Sequence, residues 1–154
     1  MIETPQVMET AEQTTAFISL VVPRAEIQSV MGPTIREVYA ALASQGIAPA
    51  GPWFTHHRRR PTDTFDLDVC VPVATALVTS GRVKPGVLRA ARVARTVYSG
   101  PYEGLGTAWS ELCAWVADKG LSRREDLWEC YLVGPESSPD PAAWRTELNC
   151  PLVG

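Results

Sequence analysis

The feature that most constrains this chain is that its second half repeats the order of elements in its first. Residues 15–22 (TAFISLVV) are β-branched and aromatic, which predicts a strand ending at Pro23. Residues 25–45 follow a helical period, with Ile27, Val30 or Met31, Ile35, Val38, Tyr39 and Leu42 on one stripe. Gly46 is suited to the left-handed residue that ends such a helix. A Pro/Gly-rich connection (47–52) leads to a tryptophan-led strand (53–58), a polar turn (59–63) and a strand over 64–73. In that last strand Phe65, Leu67, Val69, Val71 and Val73 alternate with Asp66, Asp68, Cys70 and Pro72, so one face is buried and the other more polar.

The second half reads the same way: a strand (87–98), a turn ending at Pro101, a helix (103–119), Gly120, a strand (127–133), the turn GPESSPDP and a strand (144–150). Leu105, Ala108, Trp109, Leu112, Trp115 and Val116 form a wide apolar stripe on the second helix. Two copies of one βαββ unit are therefore expected, over about 15–75 and about 87–152, after a loose lead-in at 1–14. The predicted fold class is α+β, with the units pairing into an antiparallel sheet and both long helices on one face. A groove between the helices would be a common place for a ligand pocket. Gly32-Pro33 is expected to interrupt or kink the first helix, since proline lacks the amide hydrogen and clashes with the preceding turn.

Composition excludes several classes. A net charge of −3 gives no general attraction for a polyanion, so neither nucleic acid nor an anionic membrane is an expected partner. No apolar run is long enough to span a membrane, and the polar, acidic start MIETPQVMETAEQTT is not a signal peptide, so a cytoplasmic location is expected. Cys70, Cys113, Cys130 and Cys150 form no CxxC pair and read as half-buried free thiols; no cofactor and no metal is expected. His56 and His57 are neighbours on a strand and point to opposite faces, so they read as a partly exposed strand edge. Arg58-Arg59-Arg60 reads as a solvated turn, and no nucleophile elbow, phosphate loop or HExxH is present.

What remains is aromatic and acidic. Trp128-Glu129-Cys130-Tyr131 places a carboxylate in mid-strand, on the same face as Tyr131. Two readings stand. Glu129 either faces solvent or an arginine such as Arg92 or Arg145, or it is a partly buried anion among rings, suited to a hydrophobic cation.

The segment Tyr98–Trp109 (YSGPYEGLGTAW), with Leu112, Trp115 and Gly120, resembles the second-repeat signature of the GyrI-like small-molecule-binding family. So do WECY at 128–131, Pro135, WRTEL at 144–148 and Pro151, and in the first half GIAPAGP at 46–52, FDLDV at 65–69 and VPV at 71–73. The resemblance covers about 15–152, and treats 15–154 as a single domain of two tandem βαββ (SHS2) modules. It implies the effector-binding part of AraC-type and MerR-type multidrug-responsive regulators, which take bulky lipophilic cations in an aromatic groove. A glutamate matching Glu129 supplies the counter-charge there. The ligand-binding residues it implies are Glu129, Tyr131, Tyr102, Trp109, Trp53 and Tyr39. Some stand-alone relatives hydrolyse cyclopropane-bearing DNA-alkylating toxins. In that alternative Glu129 would be the catalytic residue, with Tyr102 or Tyr131 as hydrogen-bond donor. Two departures stand out. The chain has no helix-turn-helix segment, so no direct DNA binding is expected, and Tyr98 stands where many relatives have histidine.

Overall fold

The computed structural model describes residues 2–153. In chain order the elements are β1 (Gln6–Glu9), β2 (Gln13–Pro23), α1 (Ile27–Ser44), β3 (Phe54–His57), β4 (Thr64–Pro72), β5 (Lys84–Leu88), β6 (Arg92–Ser99), α2 (Leu105–Asp118), β7 (Leu127–Val133) and β8 (Arg145–Pro151). The protein is α+β, with antiparallel strand pairing and two long helices, and it divides into two compact units. Ala11–Ala90 form one; the segment up to Thr10, together with the chain from Ala91 onward, forms the other. Among the described residues no helix is long and apolar enough to cross a membrane.

In the first-repeat unit the strand order is β3-β4-β2-β5. Alternation in β2 and β4 sends Ala16, Ile18, Leu20, Leu67, Val69, Val71 and Val73 to one face, where Val38, Ala41 and Leu42 of α1 cover them. Each fully buried Val, Leu or Ile contributes about 1.5–3 kcal/mol relative to exposure. The second-repeat unit has the order β1-β6-β8-β7. Here Ala108, Trp109, Leu112 and Val116 of α2 pack on Ala94, Tyr98, Leu127, Leu148 and Cys150.

The repeat is visible in how each helix begins and ends. A proline (Pro23, Pro101) is followed by one 3-10 turn (Arg24–Glu26, Tyr102–Gly104) and then by the α-helix. Both helices close with the same pair of backbone bonds: Gly46 N to Ala43 O with Ile47 N to Leu42 O, and Gly120 N to Ala117 O with Leu121 N to Val116 O. Gly46 and Gly120 have φ of 68° and 71°, where a Cβ would be strained.

Four expectations change. Residues 1–14 are not wholly a loose lead-in, because Gln6–Glu9 pair with Arg92–Arg95 on β6. The single strand expected over 87–98 is two: β5 pairs with β2 in the first-repeat unit, and β6 pairs with β8 in the second. Each repeat thus gains an edge strand outside its βαββ core, one following it in the chain and one preceding it. The helix is not interrupted at Gly32-Pro33. Pro33 sits on the exposed side, and Ser29, whose carbonyl a proline four residues on cannot serve, is also exposed, so the cost of a proline here is small. Tyr39 lies at the margin of the helical stripe, 36% exposed.

The basic turn and the histidines also differ from the bland reading. Arg58 pairs with Asp66 at 2.7 Å and Asp68 at 2.6 Å. The two histidines do take opposite faces, but only His56 is partly exposed; His57 is buried, its Nε2 3.0 Å from Thr55 Oγ1. The cysteines are free, with Cys70 and Cys150 buried and Cys113 and Cys130 half-buried.

One latch fixes the entry to α2. The buried Tyr98 hydroxyl donates to Pro101 O at 2.7 Å and lies under Gly104, where an added Cβ would collide with that hydroxyl. Gly106, one turn into solvent, has nothing within 4 Å of a Cβ. Gly104→Ala is expected to destabilise by about 1–3 kcal/mol through overpacking. Gly106→Ala is expected to stabilise by about 0.5–1 kcal/mol through helix propensity. Urea denaturation of both variants checks the pair, and equal shifts would remove the latch.

Candidate functional site

The pleat of β7 decides where its acidic residue goes. Glu129 is the cross-strand partner of Leu148, and Tyr131 of Thr146, so both share the face on which α2 packs. Trp128 and Cys130 take the other face, where Arg95, Glu147 and Asn149 are joined by hydrogen bonds and an ion pair. Glu129 is therefore not on the wetted side; it is 7% exposed.

Two donors meet it there. Trp109, buried on α2, donates its Nε1 hydrogen to Glu129 Oε2 at 3.1 Å. The Tyr131 hydroxyl donates to Glu129 Oε1 at 3.3 Å. Of the two arginines weighed from sequence as partners, Arg145 donates to Ser99 Oγ at 2.9 Å. A carboxylate in this setting must be hydrogen-bonded, because desolvating it unaided costs several kcal/mol.

Aromatic rings extend from this point. Tyr102, on the 3-10 turn set by the Tyr98 latch, meets the Tyr131 ring edge-on at a centroid distance of 5.9 Å. On its other side it stacks on Trp144 at 4.9 Å and 35°. Trp144 is anchored by its own indole, which donates to Ser138 O at 2.9 Å. Burial pushes the Tyr102 hydroxyl up to about 12, and the Glu136 and Glu129 carboxylates add to the shift. Gly134 leaves room for this crowding: a Cβ there would stand 3.0 Å from both Glu136 carboxylate oxygens and from the Tyr102 hydroxyl.

Of the residues predicted from sequence, Glu129, Tyr131, Tyr102 and Trp109 come together in the second-repeat unit. Trp53 and Tyr39 belong to the first-repeat unit, Trp53 partly buried against its core and Tyr39 half-exposed on α1. Trp144 and Glu136 were not picked out. The signal for Trp144 lay in its position just before the strand that pairs with β7; nothing in the local sequence marks Glu136.

The fold and this cluster invite comparison with known proteins. Residues 3–153 match the family described as the GyrI-like small molecule binding domain. No curated protein matches the chain significantly. Among solved structures, the C-terminal domain of EcmrR matches with a TM-score of 0.87 at 23% identity, over 97% of this chain and 97% of that one. In the complex of EcmrR with DNA the TM-score is again 0.87 at 23% identity and 98% of this chain is covered, but the chain spans only 57% of EcmrR. SAV2435 bound to tetraphenylphosphonium matches with a TM-score of 0.65 at 12% identity, over 99% of this chain and 95% of that one. A hydrolase from Listeria innocua matches with a TM-score of 0.66 at 15% identity, over 97% and 91%. At these identities the structural likeness is one of fold. The family match over residues 3–153 goes further, and the chain belongs to the GyrI-like small-molecule-binding domain family.

Proposed function

We propose that this protein binds lipophilic, often cationic, small molecules for sensing or sequestration, with Glu129 as counter-charge. The observation that carries the reading is a buried carboxylate held by Trp109 and Tyr131 beside the ring series Tyr131, Tyr102 and Trp144. A delocalised cation gains from the negative charge and from the electron-rich ring faces, and it loses little hydration on entry. That SAV2435 takes tetraphenylphosphonium on the same fold supports the choice of ligand class. Trp53 and Tyr39, which the family resemblance implies, lie in the first-repeat unit and are not part of this reading. Free thiols at all four cysteines fit a cytoplasmic setting. Contact with DNA is not part of this reading.

A hydrolytic role at the same site is the second reading, favoured by the Tyr131 hydroxyl beside Glu129. The carboxylate would activate water and a phenol would donate to the developing oxyanion. Mass spectrometry after incubation with a cyclopropane-bearing electrophile separates the two: hydrolysed product that disappears in Glu129→Gln establishes the enzyme, and unchanged bound compound establishes the binder.

Glu129→Gln keeps an acceptor for Trp109 but removes the charge. It is expected to weaken tetraphenylphosphonium binding about tenfold to a hundredfold. Titration followed by tryptophan fluorescence reads this directly, and equal affinities would take Glu129 out of the site.

The Tyr102 phenol supplies a second check. The folded protein holds its proton up to about 12, whereas the unfolded chain loses it near 10.0. Across that window the unfolded state has fewer protons bound, so stability falls as pH rises. Tyr102→Phe is expected to flatten this part of the slope in urea denaturation series. Glu129→Gln is expected to lower the ionisation pH of Tyr102 while leaving it above the ordinary value, because burial is the larger cause.

A further inference from the structure

The sheet face of the first-repeat unit that points away from α1 carries a cavity of about 270 Å³. Its lining includes Phe17, Phe54, His56, Asp68, Cys70 and Gly86, all within that unit. None of them belongs to the Glu129 site.

Strand register explains why the cavity exists. Cys70 has Phe54 as its partner on one side and Phe17 on the other. Neighbouring strands stand about 4.8 Å apart, so the two phenylalanine backbones are about 10 Å apart with only a thiol between them. The Phe17 ring also leans away from the gap. Its Cδ1 and Cε1 lie 2.7 Å from where a Cβ on Gly86 would be, so the ring covers β5 rather than Cys70. Two small residues, Cys70 and Gly86, thus open a slot between two rings.

The next row along the same face is polar. His56 and Ser19 flank Asp68. Asp68 accepts from Ser19 Oγ at 2.6 Å and from Arg58 Nη2 at 2.6 Å. Both bonds end on Oδ1, and Oδ2 accepts none from the described residues. Arg58 spans Asp66 and Asp68, so one guanidinium faces two carboxylates and this end of the slot keeps a net negative charge. Despite the His, Asp and Cys side chains, no group of three such residues among those described is placed to hold a metal ion.

We propose that this slot is a second binding site, for a flat aromatic molecule of one or two rings bearing an N–H donor. The ring lies over Cys70 between Phe54 and Phe17, in the offset or edge contacts aromatic pairs prefer. The N–H donates to Asp68 Oδ2. The volume falls just below the range of drug-sized pockets, about 300–1,000 Å³, which limits the ligand to a small ring system. Its size and the one open carboxylate oxygen at its end, rather than its charge, separate its ligand from the bulky cation proposed for the Glu129 site.

The test uses 6-aminoquinoline as probe and the isotope-labelled full chain. Saturable amide shifts are expected at Phe17, Phe54, His56, Cys70 and Gly86. Cys70→Phe fills the slot, and Gly86→Ala drives the Phe17 ring into it; each is expected to weaken binding about tenfold or more. Glu129→Gln is expected to bind the probe as the parent does. Absence of saturation up to the solubility of the probe, shifts centred instead on Glu129 and Tyr131, or parental affinity in a folded Cys70→Phe or Gly86→Ala overturns the proposal. If neither variant folds, the shift map of the parent chain decides alone.

Discussion

The hydrogen bonds that end on Glu129 tie the second-repeat unit together. An acidic side chain on the covered face of a strand is costly to desolvate, and donors that offset the cost include an indole on α2 and a phenol two residues along β7. The indole cannot rotate its donor away, because Trp109 is itself packed among Leu112, Leu127 and Leu148. The carboxylate therefore links the helix to the strand. The ring of Tyr131 is turned so that Tyr102 meets it edge-on. Removing the charge while retaining an acceptor leaves this packing in place, whereas removing the indole would disturb it.

The two repeats share a device as well as an order of elements. In each, the strand after the helix carries polar residues two apart on the helix-facing side. These are Thr55 with His57 in one repeat and Glu129 with Tyr131 in the other, joined at 3.0 Å and 3.3 Å. Each pair satisfies part of its own hydrogen-bonding need, which lets a polar side chain occupy a face otherwise given to Leu67 and Val69, or to Leu127 and Leu148. The two repeats match in position and differ in chemistry. One copy holds an imidazole and a hydroxyl; the other holds a charge and a phenol.

Much of this was legible in the sequence because period and punctuation agree. The alternation from Phe65 to Val73, the apolar stripe from Leu105 to Val116, and Gly46 and Gly120 each reflect a local rule that the packing reinforces. The side chosen by Glu129 was not legible, since strand parity says only that it shares a face with Tyr131. Which face is covered depends on the register with Leu148 and Thr146, about twenty residues away in sequence. The division of residues 84–99 into β5 and β6 was missed for a related reason. Arg89, Ala90 and Ala91 carry no glycine or proline to mark the break, and the two strands pair with partners that sequence adjacency does not reveal. Pro33 does not end α1 because it lies on the exposed side of the helix, a placement that the local sequence alone does not fix. The position of Trp144 before β8 marks it only weakly, because its approach to Tyr102 is made by a loop.

Tyr98 shows how fold and site depend on one another. A histidine at this position would offer a titratable group; tyrosine instead spends its hydroxyl on Pro101 O and its ring on the space beneath Gly104. That interaction sets the 3-10 turn from which Tyr102 projects, and so sets the distance between the Tyr102 ring and both Tyr131 and Trp144. The glycines of the SGPYEG segment thus have a steric role. Gly100, at φ 137°, and Gly104 allow a phenol to pass beneath the backbone, which an alanine at either position would obstruct. Tyr98 acts on the ring series by positioning Tyr102. A change at Gly104 should therefore shift the Tyr102 ring relative to Tyr131 and Trp144, although residue 104 touches neither.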